Sequence, residues 1–213
     1  MNPLKWFSHL FAVFRAGPPS ISRNLSTPSK PSLPSEPKKQ NAPSKSAPST
    51  KAKSPKSYPE KLLNTPNVSR GKRIKPKAIV LHHTSGTYGG SVAWCMNPAS
   101  KVSYHCIVAK DGRRSTLADS DERTWHAGRS EWRGKRDLNS WSIGAAFEGD
   151  TYKRPLSEDE MASIAEYLLP LMKQYNLALG DVTDHRTVSP GRKDDLNPTE
   201  FARFKKYLAA RLA

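Results

Sequence analysis

The chain has 213 residues, 35 Lys and Arg against 19 Asp and Glu, a formal net charge of +16 and a pI near 10.0. That length holds one ordinary domain, or a smaller domain plus a tail, and the charge calls for acidic partners such as nucleic acid, anionic membrane surfaces or anionic cell-wall polymers. Two cysteines, Cys95 and Cys106, are too few for a disulfide scaffold, whether paired or merely buried, and no apolar run reaches the ~20 residues that span a bilayer.

Residues 1–16, MNPLKWFSHLFAVFRA, form an apolar N-terminal segment. They read either as a signal segment interrupted by Ser8 and His9 or as an amphipathic helix lying on a membrane. Residues 17–69 read as a basic linker. Pro, Ser and Lys dominate from Gly17 to Ser57, where Glu36 is the sole acid, and such a composition buries too little apolar surface to offset its conformational entropy. Residues 1–69 hold 11 Lys and Arg against 2 Asp and Glu, or +9 of the +16. The tail thus carries most of the imbalance and suits a tether to anionic surfaces. The folded domain is expected over residues 70–213.

Within it, Ala78–Leu81 is a buried apolar strand delivering His82 and His83 to its end. Ser91–Met96 reads as a short helix stopped at Asn97-Pro98. VSYHCIVAKDGRRSTLA alternates and turns at Asp111-Gly112, a hairpin signal. SIGAAFEGD is a further buried strand. The clearest helix follows Ser157, which forms a capping box with Glu160, and carries Met161, Ile164, Leu168, Leu171 and Met172 as its apolar stripe. Pro170 should bend or split it. A last helix runs from Pro198 to Leu212. Strands mixed with helices give an α/β (α+β) domain with a central mixed sheet flanked by helices.

His82, His83, His105, His126 and His185, with Asp194 and Asp195, fall at element ends and in loops. Two histidines and a carboxylate make a standard hydrolytic zinc set with one position left open. No H-E-x-x-H is present, so spacing alone leaves buried, hydrogen-bonded histidines slightly ahead of a metal site.

Residues ~75–200 resemble the zinc-dependent N-acetylmuramoyl-L-alanine amidases, the group that includes phage amidase lysozymes and catalytic peptidoglycan recognition proteins. The blocks IVLHHTSG, VSYHCIVAKDG, TWHAGRS, NSWSIGAAFEGD, PLSEDEM and DHRTVSPGRKDDLNP match in order. The resemblance implies zinc held by His82, His185 and Asp195, with Asp194 out of phase and His83 a hydrogen-bonded neighbour. It implies that Tyr104 and Lys193 assist at the developing charge. Some relatives have a catalytic glutamate where this chain has Ala146; Glu148, two residues on, is the nearest substitute, although the tyrosine-plus-lysine arrangement is the better pattern and argues against the anhydro-sugar recycling specialists. Trp125, Trp141, His126, Arg129 and Asn139 would shape the substrate groove.

The implied activity is zinc-assisted hydrolysis of the amide between N-acetylmuramic acid and L-alanine in peptidoglycan, by a single-domain monomer acting at the cell envelope, in the periplasm or outside the cell. A non-catalytic peptidoglycan-binding module is the first alternative, but such modules typically lose a zinc ligand. A nucleic-acid binder is the second; the charge sits mainly in a Pro/Ser tail without a recognised binding motif, so no nucleic-acid partner is expected.

Overall fold

A computed structural model describes residues 57–212. The apolar segment at 1–16 and most of the basic linker lie outside the described residues. The elements in chain order are β1 (Glu60–Leu62), β2 (Val68–Arg73), β3 (Ala78–His83), α1 (Tyr88–Met96), β4 (Cys106–Val108), β5 (Arg114–Thr116), β6 (Glu122–Thr124), β7 (Glu131–Trp132), β8 (Lys135–Arg136), β9 (Ser142–Phe147), α2 (Glu158–Tyr175), β10 (Val182–Asp184), α3 (His185–Val188) and α4 (Pro198–Leu212). Six strands form one sheet in the order β1-β5-β4-β9-β3-β10. Only β4 and β5 run antiparallel within it, so the sheet is mixed, as expected.

The two faces of this sheet differ in chemistry because strand residues alternate sides. Ile79 and Leu81 of β3 and Ile143, Ala145 and Phe147 of β9 face the largest apolar cluster, filled from α2 and α4 by Met161, Ile164, Leu168, Phe204 and Leu208. The Phe147 and Phe204 rings meet edge to face, with centroids 5.3 Å apart. On the other face Ala78 and Val80 join Leu138 and Trp141, while Ala146 packs with Cys95, Ile107 and Leu117 beneath α1. Both cysteines are free. Every residue of β3 is buried, which explains its unbroken apolar run.

The capping box at Ser157 and Glu160 forms as expected, but α2 continues through Pro170. Pro170 and Glu166, the residue whose carbonyl loses its partner, are both exposed, on the side of the helix where solvent can reach that carbonyl, while burial on either side holds the helix together. The start of the domain also differs from the expectation of residue 70. Strand β1 pairs in parallel with β5, and the buried Tyr58 covers Gly112 so closely that a Cβ there would overlap its ring. Gly112, at φ +84°, turns the β4–β5 hairpin. Glu60 bonds the buried Arg114 at 2.9 Å. The end of the presumed linker is therefore an edge strand, too short and polar to show strand periodicity.

Candidate metal centre and its cleft

Strands β3 and β10 are parallel neighbours, with Asp184 beside Leu81. Each carries a histidine at the next position, His82 and His185, so the register brings residues 103 apart in sequence side by side. The site lies at the carboxyl ends of parallel strands, where α/β sheets commonly bind ligands. Asp195 arrives from the loop before α4. Its carbonyl accepts from the Arg186 amide at 2.6 Å, and the next residue, Leu196, is buried in the main core. His82 Nδ1 lies 3.1 Å from His185 Nδ1 and 3.0 Å from Asp195 Oδ2, and His185 Nδ1 lies 3.2 Å from Asp195 Oδ2. All three residues are buried.

The outer nitrogens of both rings are already engaged. His185 Nε2 meets the Ala127 carbonyl at 3.0 Å, and His82 Nε2 meets His126 Nδ1 at 3.1 Å. A carbonyl can only accept, and Arg192 Nη2, 3.3 Å from the same nitrogen, gives its two hydrogens to the Ala127 carbonyl and Ser189 Oγ, so the His185 hydrogen is on Nε2 and its Nδ1 presents a lone pair. Burial, followed by the neighbouring His185, lowers the His82 pKa to about 4, which keeps that ring neutral at pH 7. An anionic oxygen and neutral nitrogens packed this tightly repel one another unless a cation lies between them. Their spacing also suits a tetrahedral ion with ligands at about 2.0–2.2 Å, whose donor atoms stand about 3.3 Å apart.

The centre opens into a cleft of about 370 Å³ lined by Tyr104, Trp125, Lys193 and Asp194, among others. The Tyr104 ring lies 5.0 Å from that of His82; burial, then the charge of Asp195, raises its pKa and keeps the phenol protonated. Lys193 is exposed at the rim. Trp125 is 40% exposed, and Arg123 covers one face of its ring at 3.8 Å, leaving the other face for contact.

Of the other expected residues, His126 and Asn139 line the same cleft from buried positions, whereas Glu148, Trp141 and Arg129 do not line it. Glu148 does not line the cleft: the strand alternation that would aim it there ends at Phe147, and its Oε2 accepts the Lys110 amide at 2.9 Å. Trp141 is core, stacked on Trp132 at 6.4 Å with its Nε1 on the Arg136 carbonyl. Asn139 is buried, and its Oδ1 accepts from the amides of His126 and Ala127 at 3.0 and 2.8 Å. His126 lies under His82 with 5% of its surface exposed. Arg129 lines a neighbouring cavity rather than the metal cleft. His83 bonds Thr151 at 2.8 Å and stays out of the metal group. His105 is a strut: Gly144 N–H donates to its Nδ1 at 2.9 Å, and its Nε2 reaches the Glu122 carbonyl at 3.0 Å.

One contributor was not singled out by the sequence. Arg192 Nη2 donates to the Ala127 carbonyl at 2.6 Å and to Ser189 Oγ at 2.7 Å. It ties the Asp195 loop to the loop that receives His185. An arginine directly before a lysine in a loop gives no signal of this; only the fold does.

A family model described as N-acetylmuramoyl-L-alanine amidase matches residues 72–198. The chain is 31% identical over 111 residues to the 1,6-anhydro-N-acetylmuramyl-L-alanine amidase AmpD of Haemophilus influenzae, a match that spans 52% of this chain and 59% of that protein. Among solved structures, the Se-Met derivative of AmpD shares the fold, with a TM-score of 0.60 at 24% identity over 69% of this chain and 93% of that one. The Escherichia coli amidase AmiD, in complex with the substrate anhydro-N-acetylmuramic acid-L-Ala-D-gamma-Glu-L-Lys, aligns with a TM-score of 0.53 at 25% identity, covering 64% of this chain and 60% of that one.

Proposed function

This chain belongs to the N-acetylmuramoyl-L-alanine amidase family, and we propose that it hydrolyses the amide joining N-acetylmuramic acid to the L-alanine of the stem peptide, with zinc held by His82, His185 and Asp195. The observation that carries the reading is the convergence of two imidazole nitrogens and a carboxylate, 3.0–3.2 Å apart, at the base of a cleft. Bound there, zinc would lower the pKa of a water towards about 7 and polarise the scissile carbonyl.

The protein's own groups supply the rest. The carbonyl oxygen becomes negative as the amide is attacked, so donors aimed at it lower the barrier. Tyr104 keeps its proton and has it to offer. Lys193 adds a positive charge at the rim of the same cleft. Ala146, paired with His82 across β3 and β9, puts no carboxylate at that place, which favours the tyrosine-plus-lysine arrangement. The open face of Trp125 suits a sugar ring or the stem peptide.

Peptidoglycan places the reaction at the cell envelope, and we propose a periplasmic or extracellular site of action by a monomer. The basic N-terminal residues would add contact with anionic envelope surfaces: the full chain should bind envelopes in a salt-sensitive way that a protein starting at Ser57 lacks, and equal binding by both would remove this part. The decisive experiment is mass spectrometry of peptidoglycan digested with and without chelator. The expected products are stem peptides with a free L-Ala amine, lost on chelation and restored by zinc. Binding without cleavage would instead leave a recognition module.

A further inference from the structure

We propose that His126 is a positioning residue that fixes the protonation of His82, taking the Nε2 hydrogen of that ring and leaving its Nδ1 bare toward the cation site. The inference deepens the metal reading above, but its first test does not depend on that reading.

The direction of the relay is set by its far end. Ser142 Oγ lies 2.6 Å from the Leu138 carbonyl and 3.3 Å from His126 Nε2. A carbonyl has no hydrogen to give, so the serine hydroxyl donates to it, and its oxygen is left to accept from His126 Nε2–H. That fixes His126 Nδ1 as an acceptor, and the group facing it at 3.1 Å is His82 Nε2. His82 must then donate, and its remaining lone pair faces His185 and Asp195. Four groups in line thus translate one backbone carbonyl into the tautomer of a metal ligand.

The surroundings are built to hold His126 in this place. Asn139 Oδ1 accepts both amides that flank its side chain's attachment, those of His126 and Ala127. Gly144 lies against the ring so closely that a Cβ there would overlap it. The rings of His82 and His126 meet edge-on, 5.2 Å apart and at 82°. The sequence blocks TWHAGRS and NSWSIGAAFEGD therefore meet at one device: the first supplies the histidine, and the second supplies the serine, the amide clamp and the empty space. An exposed groove residue would need none of these.

The first test is the ring-nitrogen NMR spectrum of ¹⁵N-labelled, metal-free protein at pH 7. His82 should show one tautomer, with the hydrogen on Nε2; a hydrogen on Nδ1, or a mixture of the two, overturns the proposal. The second test is zinc affinity, measured by competition with a chromophoric chelator. His126→Leu should weaken binding by about 10–100-fold, the range for partners that orient metal ligands. His126→Gln, whose side-chain oxygen can accept the same hydrogen, should recover most of the loss. Equal weakening by both variants, or none by His126→Leu, overturns it. If His126→Leu does not fold, the wild-type spectrum still decides. Wild-type protein that takes up no zinc would remove the metal reading while leaving the tautomer test intact.

Discussion

The two faces of the central sheet are made by different rules. The face toward α2 and α4 is apolar and repetitive, and its contacts follow from spacing along single elements. The face that holds His82, Ser142 and Gly144 sets polar contacts among smaller apolar clusters, and those contacts join residues from three separate stretches of chain. The first face supplies stability through area removed from water. The second spends backbone and side-chain hydrogen bonds on holding a few atoms in defined orientations.

If that division is right, changes on the two faces should fail in different ways. The largest effect is expected for His82→Ala, which should abolish zinc uptake and lower amidase turnover by about 10³-fold or more, the scale of metal-ion catalysis, while far-ultraviolet circular dichroism stays unchanged. Phe204→Ala should do the reverse. Emptying a fully buried ring site costs about 3–5 kcal/mol of stability, read as a lower urea midpoint, while zinc affinity of the folded fraction holds. Tyr104→Phe keeps the ring and removes the donor, so turnover should fall about 10²-fold with little change in KM; an unchanged turnover would remove Tyr104 from the chemistry.

Acid provides a gentler test. Burial holds the His105 pKa at about 4, below the 6.5 of a free imidazole. The unfolded chain therefore takes up a proton that the folded chain refuses. This contribution to stability is complete above pH 6.5 and is lost as the pH falls toward 4. Urea titrations of metal-free protein across that window should show the decline, and a flat profile would count against the buried strut. The smallest effect is expected at Glu148→Gln: its carboxylate faces Lys110 rather than the cleft, so turnover should stay within about twofold, as for a surface change away from the site.

The apolar face was the legible one. A capping box at Ser157, a stripe from Met161 to Met172 and the bounds of α4 are local signals, and the helices stand where they predict. Strand β1 was missed because three residues, two of them charged, are too few to show a period; they join the sheet through a nonlocal edge. For the metal group, periodicity said only that His82 ends a buried strand. Matching blocks named His185 and Asp195, and the register of β3 on β10 gives the physical reason they meet. Trp141 looked like a groove residue because aromatic side chains in loops read as surface, and Asn139 and His126, which do line the cleft, gave no sign of being buried. Their burial depends on where the loop between β6 and β9 folds back, which no spacing within that loop records.

The three donors have unequal footings: one stands on β3, the second opens α3 directly after the neighbouring strand β10, and the third hangs from a loop held by a backbone bond and Leu196. The location of the ion is thereby inherited from the architecture, whereas its chemical preference, hard or soft, rests largely on one tethered side chain. A single codon at position 195 could retune that preference while every strand pairing stayed as it was.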